Sequence, residues 1–197
     1  MQFILGVDEA GRGPLAGPVA VGMAMVPEKF DVLLEFPGVK DSKKLTEKRR
    51  EKIFEELQVR AALGDVHFVV EFESAETIDR EGIAVAVRRA LWRGLNSLAP
   101  DAALVKVVLD GSLKAPPEYA QETIINGDAL VPIISLASVA AKVSRDRLML
   151  ELAKEHPQYA FEKHKGYGTA AHYEALKTYG LSAIHRRSFV HLDNIDK

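Results

Sequence analysis

Two periodicities divide this chain. Residues 3 to 8 and 18 to 26 (PVAVGMAMV) are apolar at both alternating positions, the pattern of strands in a sheet covered on two sides. Residues 66 to 73 (VHFVVEFE) add a third strand. Over 46 to 57 the spacing becomes helical, with Thr46 as N-cap and Ile53, Phe54 and Leu57 on one face. Ser74 is placed to cap a longer helix running to about residue 98. A fourth strand covers 105 to 109 and ends in Asp110-Gly111, and a fifth covers about 122 to 125. Helices are expected from 135 to about 156 and over 170 to 179. Strands come first as a run and then alternate with helices, which predicts an α/β arrangement with a mixed sheet. The chain shows no internal repeat, and Pro116-Pro117 reads as a surface connection, not a domain linker.

Composition narrows the class. With 197 residues, 47% of them hydrophobic, one domain over 1 to 197 with a sizeable core is expected. Lys and Arg number 26 against 28 Asp and Glu, for a net charge of -2. Binding of nucleic acid must then rest on local patches, not on bulk charge. The absence of cysteine excludes disulfides, thiolate metal sites and cysteine nucleophiles. No leader pattern opens the chain, and no apolar stretch nears the roughly 20 residues that span a bilayer. The expectation is a soluble, cytoplasmic monomer.

Candidate chemistry begins at "GVDEAGRGPLAG", residues 6 to 17, where Asp8 and Glu9 close the first strand. Strands disfavour Asp, since desolvating an unpaired carboxylate is costly. A lone Asp-Gly such as Asp110-Gly111 usually just starts a turn. Paired acids are less easily dismissed. Neighbours on a regular strand point to opposite faces, so Asp8 and Glu9 share a site only if the backbone curls right after Asp8. Gly11 and Gly13 permit such a curl. Gathered carboxylates need cations, and hard oxygen ligands suit Mg²⁺ or Mn²⁺. Two such ions would activate a water and stabilise the leaving oxygen of a phosphodiester. A fourth acid is either Asp128, in the turn "INGDALVP", or Asp146, four residues after Lys142 on a helix, where an i,i+4 ion pair is the ordinary role. Spacing does not decide between them, though the loop setting favours Asp128.

The glycine loop is neither a Walker loop, lacking Gly-Lys-Ser/Thr, nor a dinucleotide fingerprint, since Pro14 interrupts it and a strand follows. It offers exposed amides and Arg12 to a sugar or phosphate. "GVDEAGRGPLAGPV" resembles the opening motif of type 2 ribonuclease H (ribonuclease HII). The resemblance continues through "DSKKLTEKRRE" at 41 to 51, "LDG" at 109 to 111, "GDALV" at 127 to 131, "ASVAAKVSRD" at 137 to 146, "HKGYGT" at 164 to 169 and "IHRRSF" at 184 to 189.

The resemblance implies a ribonuclease H-like α/β fold, a mixed five-stranded sheet flanked by helices, with a C-terminal helical extension from about residue 160. It implies cleavage of RNA in RNA–DNA hybrids and nicking of duplex DNA 5′ of embedded ribonucleotides, with two Mg²⁺ or Mn²⁺ ions held by Asp8, Glu9, Asp110 and Asp128. That choice returns Asp146 to a supporting role. Gly11, Arg12 and Gly13 are implied to read the ribose 2′-hydroxyl, and Tyr167 to pack on the sugar at the RNA–DNA junction. Ser42, Lys43 and Lys44 fit the family's backbone-contacting element, and Ser138 and Lys142, on one helical face with Arg145, are further phosphate contacts. His164 and His185, flanked by basic residues, are expected on the substrate-facing surface. The chain departs from the family pattern at Asn126 and Ala170, where Lys is common. No clamp-binding tail is expected after "RRSF". The rival readings are a DNA junction resolvase on the same fold and a non-catalytic hybrid-binding module.

Overall fold

A computed structural model describes residues 2–40 and 45–191. In chain order its main elements are β1 (Phe3–Ala10), β2 (Val19–Pro27), α1 (Val32–Glu35), α2 (Glu47–Leu63), β3 (His67–Glu73), α3 (Ala75–Glu81) and α4 (Ile83–Leu98). Then come β4 (Val105–Asp110), β5 (Ala120–Ile124), α5 (Gly127–Leu130), α6 (Pro132–Glu155), α7 (Phe161–His164) and α8 (Ala170–Tyr179). The five strands form one sheet in the order β3-β2-β1-β4-β5. β1 runs antiparallel to β2 and parallel to β4, β2 is antiparallel to β3, and β4 is parallel to β5. The sheet is therefore mixed, as the strand pattern requires.

Side-chain alternation along β2 explains both faces of the sheet. Val19, Val21, Met23 and Met25 enter a core shared with Val87, Leu91 and Leu95 of α4. Ala24 and Val26 point the other way, into a core with Ile53 and Leu57 of α2 and with Ile134, Ala137 and Ala140 of α6. That second face is built from small residues, so α6 lies almost on the backbone of the sheet. A Cβ on Gly22 would stand 2.3 Å from the Ala137 carbonyl oxygen, and one on Gly6 would stand 2.4 Å from that of Ile133. Gly22→Ala is accordingly expected to destabilise the protein by about 3 kcal/mol, because backbone and not a pliable side chain must move. A lowered urea midpoint at unchanged slope would show it, and a wild-type midpoint would refute it.

Local signals survive folding well. Thr46 accepts from the Arg49 amide and Thr169 from that of His172, each capping its helix. The long helix expected from Ser74 is instead two, α3 and α4, divided at Gly82. That residue has φ +85° and donates its amide to Ile78, closing α3 before α4 starts in a new direction. Among the described residues no helix is long and apolar enough to cross a membrane. A third core, of Leu15, Ala16, Met149, Tyr159, Phe161 and Leu176, ties the C-terminal helices to the segment between β1 and β2.

Candidate active site

β1 pairs with its parallel neighbour β4 only as far as Val7 opposite Leu109. The next residues, Asp8 and Glu9 on one strand and Asp110 on the other, stand at the open carboxyl ends of two adjacent parallel strands. That is where α/β sheets bind ligands. All three acids line one cavity of about 510 Å³. The expected curl right after Asp8 is absent, because antiparallel pairing with β2 holds β1 straight through Ala10. The chain turns at Gly11, with φ +87°.

The acids are unequally served. Asp8 is 3% exposed and accepts from the Glu9 amide at 2.8 Å, while Lys142 Nζ lies 3.5 Å from its Oδ2. Burial lifts its carboxyl above the ordinary range against the pull of Lys142 and Ser138, and Asp110 adds repulsion. Burial and then the Asp8 charge push Glu9 up to about 7, though Arg12 lies 3.4 Å away. Asp110 Oδ1 receives the amides of Gly127 at 2.6 Å and Asp128 at 3.4 Å, from the first turn of α5. Asp128 itself is fully buried and outside the cavity lining, and its carbonyl accepts from Ser135 Oγ at 2.5 Å. Asn126, just before this turn, has φ +55°, a conformation Asn tolerates far better than most residues.

A divalent cation fits this donor set. Its ligands would be hard carboxylate oxygens, and Glu9 Oε2 is buried without a hydrogen-bond partner. Among the described residues no three acids or histidines already stand in a metal-holding cluster, as mutual repulsion of uncompensated carboxylates would lead one to expect.

Gly11, Arg12, Gly13, Lys142 and Tyr167 also line the cavity, joined by Arg50, Arg145, Asp146 and Lys165. Tyr167 is half exposed. Ser138 is fully buried beneath Lys142, whose ammonium bonds to its hydroxyl. Ser42, Lys43 and Lys44 lie outside the described residues.

Two buried arginines escaped the sequence reading as architectural parts. Arg186 donates to the carbonyls of Gly11 at 2.7 Å, Arg12 at 3.0 Å and Gly17 at 2.9 Å. Arg145 reaches those of Pro18 at 2.9 Å, Ala16 at 3.3 Å and Lys165 at 3.0 Å. Together they hold the glycine loop from beneath, its carbonyls turned inward. Burial, with Arg145 nearby, pulls the Arg186 guanidinium down to about 9.

The histidines are placed differently from the expectation. His164 and His185 are 9% and 2% exposed, packed with His172, Tyr159 and Phe161 instead of facing a substrate. The Ser182 amide donates to His185 Nδ1 at 2.9 Å. A neutral His185 then carries its proton on Nε2, 3.0 Å from His172 Nε2, and His172 Nδ1–H donates to the Tyr167 carbonyl at 2.9 Å. Burial keeps both rings neutral by lowering their basicity, His185 to about 4. Neutral imidazoles can share such a chain without repulsion, which is why they are inside.

The ribonuclease HII family model matches residues 5–192. The chain belongs to this family. It is 46% identical to ribonuclease HII of Desulfitobacterium hafniense over 94% of its own length and 68% of that protein. Against ribonuclease HII of Bacillus cytotoxicus the identity is 41%, over 100% of this chain and 72% of that one. The crystal structure of ribonuclease H2 from Pyrococcus horikoshii superposes with a TM-score of 0.75 at 29% identity, covering 98% of this chain and 97% of the other. The sheet and its helices are thus those of a ribonuclease H-like fold, and the chain is a ribonuclease HII-type hydrolase.

Proposed function

We propose that this ribonuclease HII cleaves the RNA strand of RNA–DNA hybrids and nicks duplex DNA on the 5′ side of embedded ribonucleotides, leaving a 3′-hydroxyl and a 5′-phosphate. The observation that carries the reading is the meeting of three carboxylates with a glycine loop in one cavity rimmed by Arg12, Arg50, Lys142 and Lys165. Asp8, Glu9 and Asp110, joined by Asp128, would hold two Mg²⁺ or Mn²⁺ ions. When bound, these supply an activated water and a stabilised leaving oxygen.

The chain's own residues bind and orient. Gly13 is outside the left-handed region, and among the described residues nothing beyond its own chain neighbours lies within 4 Å of where its Cβ would be. Nothing in the fold demands glycine there, whereas a backbone that must approach a ribose 2′-hydroxyl does. Lys142 balances Asp8 and faces the incoming phosphate, held by Ser138 beneath it. Tyr167 presents its ring to the sugar. Ser42, Lys43 and Lys44 contribute phosphate contacts in this reading. One catalytic domain over 1–197 carries all of this, its portion from about residue 160 meeting the substrate.

Incubation with Mg²⁺ and a DNA duplex bearing a single ribonucleotide tests the assignment. Cleavage 5′ of the ribonucleotide, with the all-DNA duplex left intact, is the expected result. Equal cutting of both would favour a resolvase-like nuclease. Binding without cutting under both Mg²⁺ and Mn²⁺ would leave a hybrid-binding module.

A further inference from the structure

Arg12 lines two hollows, the one that holds the acids and a smaller neighbour. The second, of about 180 Å³, lies between α4 and the turn after β4, lined by Arg88, Ser112 and Lys114 over Val87 and Leu91. Its turn is held firmly. Leu113 donates its amide to Asp110 at 3.3 Å, its carbonyl accepts from Thr123 Oγ1 at 3.0 Å, and Gln121 accepts the Ala115 amide at 2.9 Å. Leu113 and Ala115 are buried in the core, so alternation leaves Ser112 and Lys114 outside.

Charge sets this hollow apart from the rest of α4. Arg89 pairs with Glu81 at 2.7 Å, and Arg93 pairs with Glu71 at 2.6 Å and Glu73 at 2.7 Å. Among the described residues neither Arg88 nor Lys114 has a carboxylate partner. The Arg88 guanidinium lies instead 5.8 Å from the ring centroid of Trp92, which is 41% exposed and the chain's single tryptophan. In a protein of net charge -2, cations left without counter-charge around one hollow form a local surplus that favours an anionic ligand. An exposed aromatic ring beside them suits the sugar and base faces of a nucleic acid.

We propose that this hollow is a second phosphate-binding subsite, gripping the sugar–phosphate backbone of the nucleic acid as it leaves the catalytic cavity past Arg12. It rests on the nuclease reading above. The shared Arg12 favours nucleic acid over other polyanions, since one continuous strand can occupy both hollows.

The test is equilibrium binding of the full chain, in EDTA to prevent turnover, to a long duplex carrying one ribonucleotide. Arg88→Ala and Lys114→Ala are each expected to weaken binding about threefold to tenfold and to reduce the slope of log affinity against log salt by about one. Arg89→Ala, whose side chain is already ion-paired, leaves both unchanged. Trp92 emission in the wild type is expected to change on saturation with the duplex. Both altered residues are exposed, so folding is preserved. An unaltered affinity and salt slope in the double variant overturns the subsite, as does a Trp92 emission that saturating duplex does not move. Cleavage of the same duplex by the wild type in Mg²⁺ is scored apart: its failure removes the nuclease reading, and the subsite with it.

Discussion

Asp8→Asn is expected to abolish cleavage and, in the absence of metal, to yield a more stable protein. The rate loss should exceed the roughly 10²–10³-fold that removing one preorganised electrostatic group costs, because Asp8 is the acid that faces both α6 and the other strand-end carboxylates. The gain in stability follows from the same burial. Asp8 is 3% exposed beside Glu9 and Asp110, and its carboxyl is raised above its ordinary value, so the ionised form strains the fold. An uncharged amide of the same shape relieves that strain, the usual exchange of function for stability.

Glu9 gives this electrostatics a pH signature. Its ordinary value of 4.5 rises to about 7 in the folded protein, so between those values the native state keeps a proton that the unfolded chain releases. Its contribution is fully present below the lower value and is lost as pH rises through the upper one. The loss amounts to about 3 kcal/mol. Between about pH 5 and about pH 8 the urea midpoint in EDTA should therefore fall relative to that of Glu9→Gln, in which the buried His172 and His185 still pull stability the opposite way. An equal slope in that variant would contradict the account, as would an Asp8→Asn protein that still cuts at a wild-type rate.

Arg186→Ala carries the largest expected loss of stability, about 3–5 kcal/mol. The side chain is fully buried and supplies three hydrogen bonds to the carbonyls of Gly11, Arg12 and Gly17. Its removal leaves those acceptors unsatisfied and opens a cavity under the loop. Against a typical total of about 5–15 kcal/mol the loss is severe. Arg186→Lys should recover little, since a point-like ammonium cannot replace a planar fork that serves three carbonyls at once. The urea midpoint measures the loss, and faster amide exchange across residues 11 to 17 locates it. A variant with wild-type midpoint and protection would show that the loop holds itself.

Much of the architecture was legible because it is written in short-range terms. Alternation along 18 to 26 announced a strand buried on both faces, and Thr46 marked the start of a helix through one side-chain bond three residues away. The acids at the ends of β1 and β4 stood out because carboxylates are rare where apolar strands finish. The division of the 74–98 segment was less visible. Gly82 is tolerable inside a helical pattern until its positive φ is known.

The rest belongs to contacts that sequence proximity does not describe. Arg186 bonds to Gly11 across 175 positions and Arg145 to Ala16 across 129. A basic residue in a run such as "IHRRSF" has no local mark separating a buried fork from a solvated charge. The same ambiguity hides His164 and His185, whose rings turn inward while Lys163 and Arg187 beside them stay exposed, the His185 ring bonding to Ser182 and His172. Strand and helix periods, the caps and the acids that finish two strands can be read along the chain, because each depends on residues within a turn or a pleat. That those acids share one cavity, which arginines carry the glycine loop and which cations remain unpaired beside it emerge from the folded arrangement alone. Those outcomes depend on burial and charge neighbours brought together from opposite ends of the chain.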